Sequence, residues 1–309
     1  MVTPLRRLAI ATSKTEECVR FYSQVLGMKK FYDDVMTNAP GVKSLLGPEG
    51  RFPQRLVSMQ INDYTFGMMG LLEYLNAPFT VKPLAKKAGG LVYPVCVDFV
   101  VRDVSATVRK VEGLGYQVIA GPISLDTACG KTTASAFLDP NGVLVQVIDR
   151  ADDSTPTPSA IRRVIFPVAR ERLEGSVRLL RESLGMDIYR EEVVDGSEHA
   201  ALFGLNNFAD FKARIVTLRQ GDEGQGMVSF MEVVRPSVDI EPFVKRENYP
   251  YEVIMVFFVD GMDAVLAKAQ ALGGALIGRR TYEVPGRGMA EGAMFTDASG
   301  IVIDVTRWL

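Results

Sequence analysis

Phe21-Tyr22-Ser23-Gln24-Val25-Leu26-Gly27 is the stretch on which the fold turns, because the chain repeats it. Three later segments close on the same Leu-Gly pair: Val111-Glu112-Gly113-Leu114-Gly115, Leu180-Arg181-Glu182-Ser183-Leu184-Gly185 and Ala269-Gln270-Ala271-Leu272-Gly273. Leu26 to Leu184 and Leu114 to Leu272 are each 158 residues apart, and Leu26 to Leu114 and Leu184 to Leu272 are each 88 apart. Other landmarks keep step. Asp139-Pro140-Asn141-Gly142 maps onto Asp297-Ala298-Ser299-Gly300 at 158, and Arg6-Arg7 onto Arg162-Arg163 and Gly130-Lys131 onto Gly286-Arg287 at 156. Repeats in register indicate one structural unit used several times. The chain is read as four modules in two halves, residues 1–150 and 161–309. The polar, Pro- and Thr-rich segment ADDSTPTPSA (151–160) is the linker.

Around each Leu-Gly the local pattern is the same. A short apolar strand such as Leu8 to Thr12 comes first. A helix follows, with an apolar stripe at Val19, Tyr22, Val25 and Leu26 in the first module and at Met262, Val265, Leu266, Ala269 and Leu272 in the fourth. Ser13 and Glu16 have the spacing of a capping box, and Gly27 stands where a helix C-cap is wanted. Strand-like runs rich in Val, Ile, Phe and Thr complete the module. The unit is βαβββ, and the class is α+β with mostly antiparallel sheets.

Composition narrows the function. The 309 residues are 47% hydrophobic, 9% aromatic and 23% charged, as in a globular protein with a sizeable core. Lys plus Arg (35) against Asp plus Glu (37) leaves a net charge of -2, with no basic footprint for nucleic acid or an anionic membrane. The longest wholly apolar run, Val253 to Val259, is far short of a membrane span. Three separated cysteines, Cys18, Cys96 and Cys129, form neither a CxxC pair nor a disulfide framework, so a cytoplasmic setting is expected. A single histidine, His199, excludes a His-rich metal site, and a Ser-His-Asp or Cys-His mechanism can be built only around it.

The first strand, the helical segment Phe21-Tyr22 through Leu26-Gly27 and the closing Asp139-Pro140-Asn141-Gly142 strand together resemble the vicinal oxygen chelate superfamily, which includes glyoxalase I, bleomycin-resistance proteins and extradiol dioxygenases. The resemblance implies that consecutive modules pair into two cup-shaped domains. It also implies that metal ligands, where present, come from the first and last strands of each module, usually as His, Glu or Gln. The matching positions in the first domain are Arg7, Glu73, Cys96 and Gln146. Those in the second are Arg163, Glu232, Ile254 and Asp304, with Glu252 on the same face as Ile254. None is histidine.

Strand alternation puts Arg7 beside Ala9 and Ala11 on the cup face, and Asp98 beside Cys96. A guanidinium has no lone pair to give a metal and repels one. It either closes a salt bridge or receives an anionic group bidentately. Gly130-Lys131-Thr132 lacks the upstream glycine of a phosphate loop and is a turn, from which Lys131 and its repeat partner Arg287 border the cup mouth. His199 alternates with Ala201 and Phe203 as in a second strand, and if it faces the cup it is the chain's best general base. The expected function is a binder of a small, anionic organic molecule, or a metal-independent lyase or isomerase, with no cofactor and as monomer or homodimer. The alternatives are a metal-dependent lyase, isomerase or dioxygenase with carboxylate-rich ligands, and a non-catalytic interaction protein. Extradiol iron chemistry wants two His and a carboxylate, which one His per chain does not supply.

Overall fold

A computed structural model describes residues 1–36, 53–76, 81, 84, 92–127, 130–149, 157–206, 208–222, 224–236, 240, 253–284 and 288–309. Each module is a βαβββ unit. The first holds β1 (Arg7–Ala11), α1 (Thr15–Leu26), β2 (Lys29–Met36), β3 (Gln54–Gln60) and β4 (Met68–Tyr74). The second holds β5 (Cys96–Val100), α2 (Val104–Gly113), β6 (Val118–Thr127), β7 (Gly130–Leu138) and β8 (Leu144–Ile148). The third holds β9 (Arg163–Pro167), α3 (Leu173–Leu184), β10 (Asp187–Asp195), α4 (Gly196–Leu202), β11 (Lys212–Arg219) and β12 (Met227–Arg235). The fourth holds β13 (Val253–Phe258), α5 (Met262–Ala271), β14 (Ala275–Val284), β15 (Gly288–Thr296) and β16 (Val302–Trp308).

The strands make two curled eight-stranded sheets, ordered β14-β15-β16-β13-β1-β4-β3-β2 and β10-β11-β12-β9-β5-β8-β7-β6. This corrects the expected pairing. Modules one and four share a sheet, as do two and three, so each cup takes one module from each half of the chain. The join is antiparallel, β1 to β13 and β5 to β9. The reason lies in the helices. Within the first half α1 packs on α2, and within the second α3 packs on α5. Their apolar stripes meet the inner faces of both sheets in one core, with Leu8 and Ile10 of β1, Val97 and Phe99 of β5, Val164 and Phe166 of β9, and Met255 and Phe257 of β13. Consecutive modules therefore stand on opposite sides of a helical layer, and the free edge of each first strand finds its partner in the other half.

The two sheets are tied at the centre by a ring of backbone hydrogen bonds. Leu5 donates to Gly226 (3.0 Å), Gly226 to Ile161 (2.9 Å), Ile161 to Gly67 (2.8 Å) and Gly67 to Leu5 (2.8 Å). Gly67 and Gly226 have φ of +66° and +70°, and a Cβ on Gly67 would stand 2.7 Å from the Ile161 carbonyl oxygen. Only glycine combines that backbone angle with that approach.

Two local expectations are corrected. The capping box does not form: Ser13 Oγ donates to the Val81 carbonyl, and the Lys14 N–H donates to Thr12 Oγ1. His199 lies on helix α4, not on a strand, because an extra helix is inserted between the second and third strands of this module. The C-cap at Gly27 forms as expected, and Gly185 ends α3 in the same left-handed conformation. The last two linker residues are part of the fold: Ser159 Oγ accepts from the Val100 N–H and the Ala160 N–H donates to Gln225. Among the described residues no helix is long and apolar enough to cross a membrane.

Candidate functional site

Each sheet turns one face to the helices and presents the other as a cup, and the two cups can be compared row by row. In the sheet of modules one and four, Arg7, Val256, Asp304 and Met294 form one cross-strand row. The equivalent row in the other sheet is Arg163, Asp98, Gln146 and Ala136. The floor of the first cup is apolar, built from Ala9, Ile254, Val256, Val302 and Met294.

In the first cup Arg7 runs sideways across Gly70, where a Cβ would stand 2.6 Å from Arg7 Cδ. Arg7 Nη1 donates to Ser58 Oγ at 2.9 Å, and its buried Nε has no partner. Desolvation lowers the pKa of this guanidinium, an effect that Tyr282 and Asp304 oppose. Arg280, from β14, donates through Nη2 to Asp304 Oδ2 at 2.8 Å and lies 5.0 Å from the Tyr282 ring centre. Asp304 Oδ1 is buried and has no partner. Burial pushes the Asp304 carboxyl up, while Arg280 and Arg7 pull it down. Burial works against charge on Arg280 as well, but Asp304 and Tyr282 outweigh it and the net shift is upward. Two guanidiniums thus share one carboxylate over an apolar floor.

The second cup is closed. Asp98, 2% exposed, accepts from Arg163 Nε at 2.8 Å and from Arg162 Nη1 at 3.0 Å, and Arg163 Nη1 also meets Glu192 at 3.1 Å. Burial opposes charge on Arg163, yet Asp98 and Glu192 raise its pKa overall. Helix α4 fills the rest. Ala200, Leu202 and Phe203 pack against Cys96, Ala136, Leu144 and Ile165, and Gln146 Nε2 donates to the Leu202 carbonyl at 3.0 Å. Burial pushes the Cys96 thiol well up, which makes it a small apolar group and not a nucleophile.

The sequence-derived residues therefore divide. Arg7, Ile254 and Asp304 meet in the first cup, and Cys96, Asp98, Gln146 and Arg163 in the second. Glu73 and Glu232 belong to neither. Glu73 shares the helix-side face with Met69 and Leu71 and pairs with Arg55 at 3.7 Å. Glu232 shares that face with Val228 and Phe230 and pairs with Arg170 at 3.2 Å. The strand alternates with period two, so an alignment one residue off selects the wrong face. His199 is half-buried, with Nδ1 2.8 Å from the carbonyl oxygen of Asp195, the N-cap of its helix, and lies on the second sheet's side, away from the first cup's charged row. Lys131 is exposed at the start of β7, opposite Asp126. Glu252 and Arg287 lie outside the described residues. Arg280, Ser58 and Tyr282 were missed. Their signal was available, since Arg280 and Tyr282 alternate on one face of a strand, but they lie outside the first and last strands of a module.

Among the described residues no three His, Cys, Asp or Glu side chains come together as metal ligands. The donor chemistry explains why the cups do not fit a divalent ion. Each cup carboxylate, Asp304 and Asp98, is already bound by a guanidinium, and a further guanidinium, Arg7 or Arg162, stands in each cup or against its carboxylate, where it would repel a cation.

Paired βαβββ cups of this kind define a class of proteins, and the comparisons agree. Residues 5–147 match the family model of the Glyoxalase/Bleomycin resistance protein/Dioxygenase superfamily. Over those residues the chain is similar to this superfamily, and its paired-cup fold is in keeping with that. Glyoxalase I from Zea mays superposes with a TM-score of 0.65 at 17% identity, over 99% of this chain and 92% of that one. A putative dioxygenase from Bacillus subtilis subsp. subtilis str. 168 superposes at 0.56 with 12% identity, over 99% and 85% of the two chains. At these identities the likeness is one of fold. No curated protein matches the sequence.

Proposed function

We propose that the cup of modules one and four binds a small organic anion, with guanidinium groups in the place where relatives of this fold class hold a metal, and that the second cup is a structural support. The observation that carries this is the charge inventory of the first cup. Two partly accessible arginines face one carboxylate, and Arg7 keeps a buried N–H without a partner. A buried unpaired donor is costly, and a carboxylate or phosphate oxygen would satisfy it bidentately. The apolar floor suits the carbon skeleton of an organic molecule. Asp304 is the group equipped to move a proton, since burial raises its pKa and its Oδ1 is unpartnered. A metal-independent lyase or isomerase reaction would use it on the bound anion.

The glyoxalase and dioxygenase chemistry in the names of the fold relatives is not carried over, because the ligand positions here hold arginine and apolar residues. A plugged, non-catalytic role fits the second cup, where Asp98 is doubly paired and α4 fills the space.

Calorimetric titration with a panel of small carboxylates and phosphates tests the reading. At least one should bind, and Arg7→Ala and Arg280→Ala should each weaken it by about 10- to 100-fold, the range of a charge-assisted hydrogen bond. Binding that survives the loss of both arginines would remove the proposal. If the bound anion is turned over, Asp304→Asn should keep binding and lose turnover.

A further inference from the structure

Beyond the charged row the same cup face carries an aromatic end. The next row along the strands pairs Phe258 with Thr306 and Thr306 with Gly292. Two residues further on β16 is Trp308, opposite Ala290, which is in turn opposite Tyr282. Phe258 and Trp308 stack with ring centres 5.8 Å apart and planes 19° from parallel, and the Arg6 guanidinium lies 4.7 Å from the Phe258 centre. A cavity of about 260 Å³ is lined by Thr3, Phe258, Asp260, Thr306 and Trp308, among others. Its volume is just under the lower end of sites for drug-sized ligands, roughly 300 Å³, so it suits a single ring.

Thr306 joins this cavity to the charged row. Its Oγ1 lies 3.4 Å from the Tyr282 hydroxyl, and it is the cup-face neighbour of Asp304 on β16. Strand rise puts Phe258 and Thr306 about 6.7 Å from the row of Arg7 and Asp304. Trp308 stands about twice as far along the strand, and its indole reaches back to within 5.8 Å of the Phe258 ring, so an aryl group on a short aliphatic link meets the Phe258–Trp308 stack. Trp308 is 46% exposed, and tryptophans are on average well buried, so an open indole beside a cavity has a surface to give a ligand.

From this arrangement we infer that the occupant of the first cup is an aryl carboxylate, its anion at Arg7 and Arg280 and its ring against Trp308. The inference rests on the anion-binding reading and narrows it to a substrate class. Trp308 is the chain's one tryptophan, so its fluorescence reports on this subsite directly.

The test compares 3-phenylpropionate, hexanoate and 3-phenylpropanol on the full chain, by tryptophan fluorescence and by calorimetry. The aryl acid should bind about two- to tenfold tighter than hexanoate, the range an aromatic pair adds beyond area burial, and shift the emission. The uncharged alcohol should bind more weakly than either acid. Trp308→Leu, on an exposed site, should erase the preference in calorimetry, the aryl acid falling to the affinity of hexanoate measured on the same variant. Equal affinity of the two acids, or a preference that survives in Trp308→Leu, overturns this inference and leaves the anion site standing. Binding of neither acid, or tightest binding of the alcohol, overturns the anion reading with it.

Discussion

Val256 and Asp98 occupy equivalent places in the two cups, and the difference between them decides whether the neighbouring arginine closes on a carboxylate. Opposite Arg163 stands a carboxylate, and the pair closes. Opposite Arg7 stands a valine, and the guanidinium turns away across Gly70 to Ser58. Val256→Asp should therefore close the first cup as the second is closed, and titration should show anion affinity falling by at least about tenfold. An unchanged affinity would mean that Arg7 does not hold the anion. Gly70→Ala tests the same side chain sterically. Its new Cβ would meet Arg7 Cδ at 2.6 Å, so the arginine must move and anion affinity should fall.

One buried carboxyl gives a pH signature. Burial raises Asp139 from the ordinary 3.8 to about 6, against hydrogen bonds from the Val143 and Asn141 N–H groups and from the Tyr22 hydroxyl at 2.8 Å. The folded state holds this proton more tightly than the unfolded state. Its contribution to stability is thus full below about pH 4 and is lost as pH rises to about 6. Denaturant melts of the wild type and Asp139→Asn across that window should show the slope flattened in the variant. Equal slopes would show that Asp139 titrates alike in both states.

At the scale of elements, α4 is what fills the second cup. Among the described residues a helix in that place follows only β10, and it packs Ala200, Leu202 and Phe203 into the cup. Its one polar anchor there is the amide of Gln146 on the Leu202 carbonyl. Gln146→Leu should leave that carbonyl unsatisfied, at a cost of about 1–3 kcal/mol. Amide exchange in residues 196–205 should speed up in that variant while exchange in β1 and β13 stays as it was. Protection unchanged in 196–205 would show that apolar packing alone holds the plug.

The whole molecule is bound crosswise. Helices pack within each half, while sheets form between halves, and the ring through Leu5, Gly67, Ile161 and Gly226 sits at the crossing. A chain cut within residues 151–156 should leave two halves that stay together through β1–β13 and β5–β9. Residues 1–156 alone should self-associate, because β1 and β5 would present bare edges. Light scattering distinguishes these outcomes, and a monomeric isolated half would contradict the crosswise pairing. Gly67→Ala should be among the more damaging single substitutions, since it forces an unfavourable φ and a backbone clash at this junction.

The repeat spacing, the apolar stripes and the Leu-Gly stops determined the α+β class, the four modules and the helix C-caps, because these depend on short-range periodicity. Strand alternation likewise put Arg7, Asp98 and Gln146 on cup faces. It misplaced Glu73 and Glu232, where a one-residue offset between repeats reverses the face. His199 was read as strand because an inserted helix breaks the repeat, and no neighbouring pattern marks the insertion. Which modules share a cup was decided only in three dimensions. Every first strand has a free edge of the same chemistry, and local sequence does not say which edge it meets. The helical layer between the sheets settles that choice, and with it the partners of each arginine. Arg7 next to Val256 and Arg163 next to Asp98 is a fact of tertiary pairing, and it separates a guanidinium turned away to Ser58 from one closed on a carboxylate.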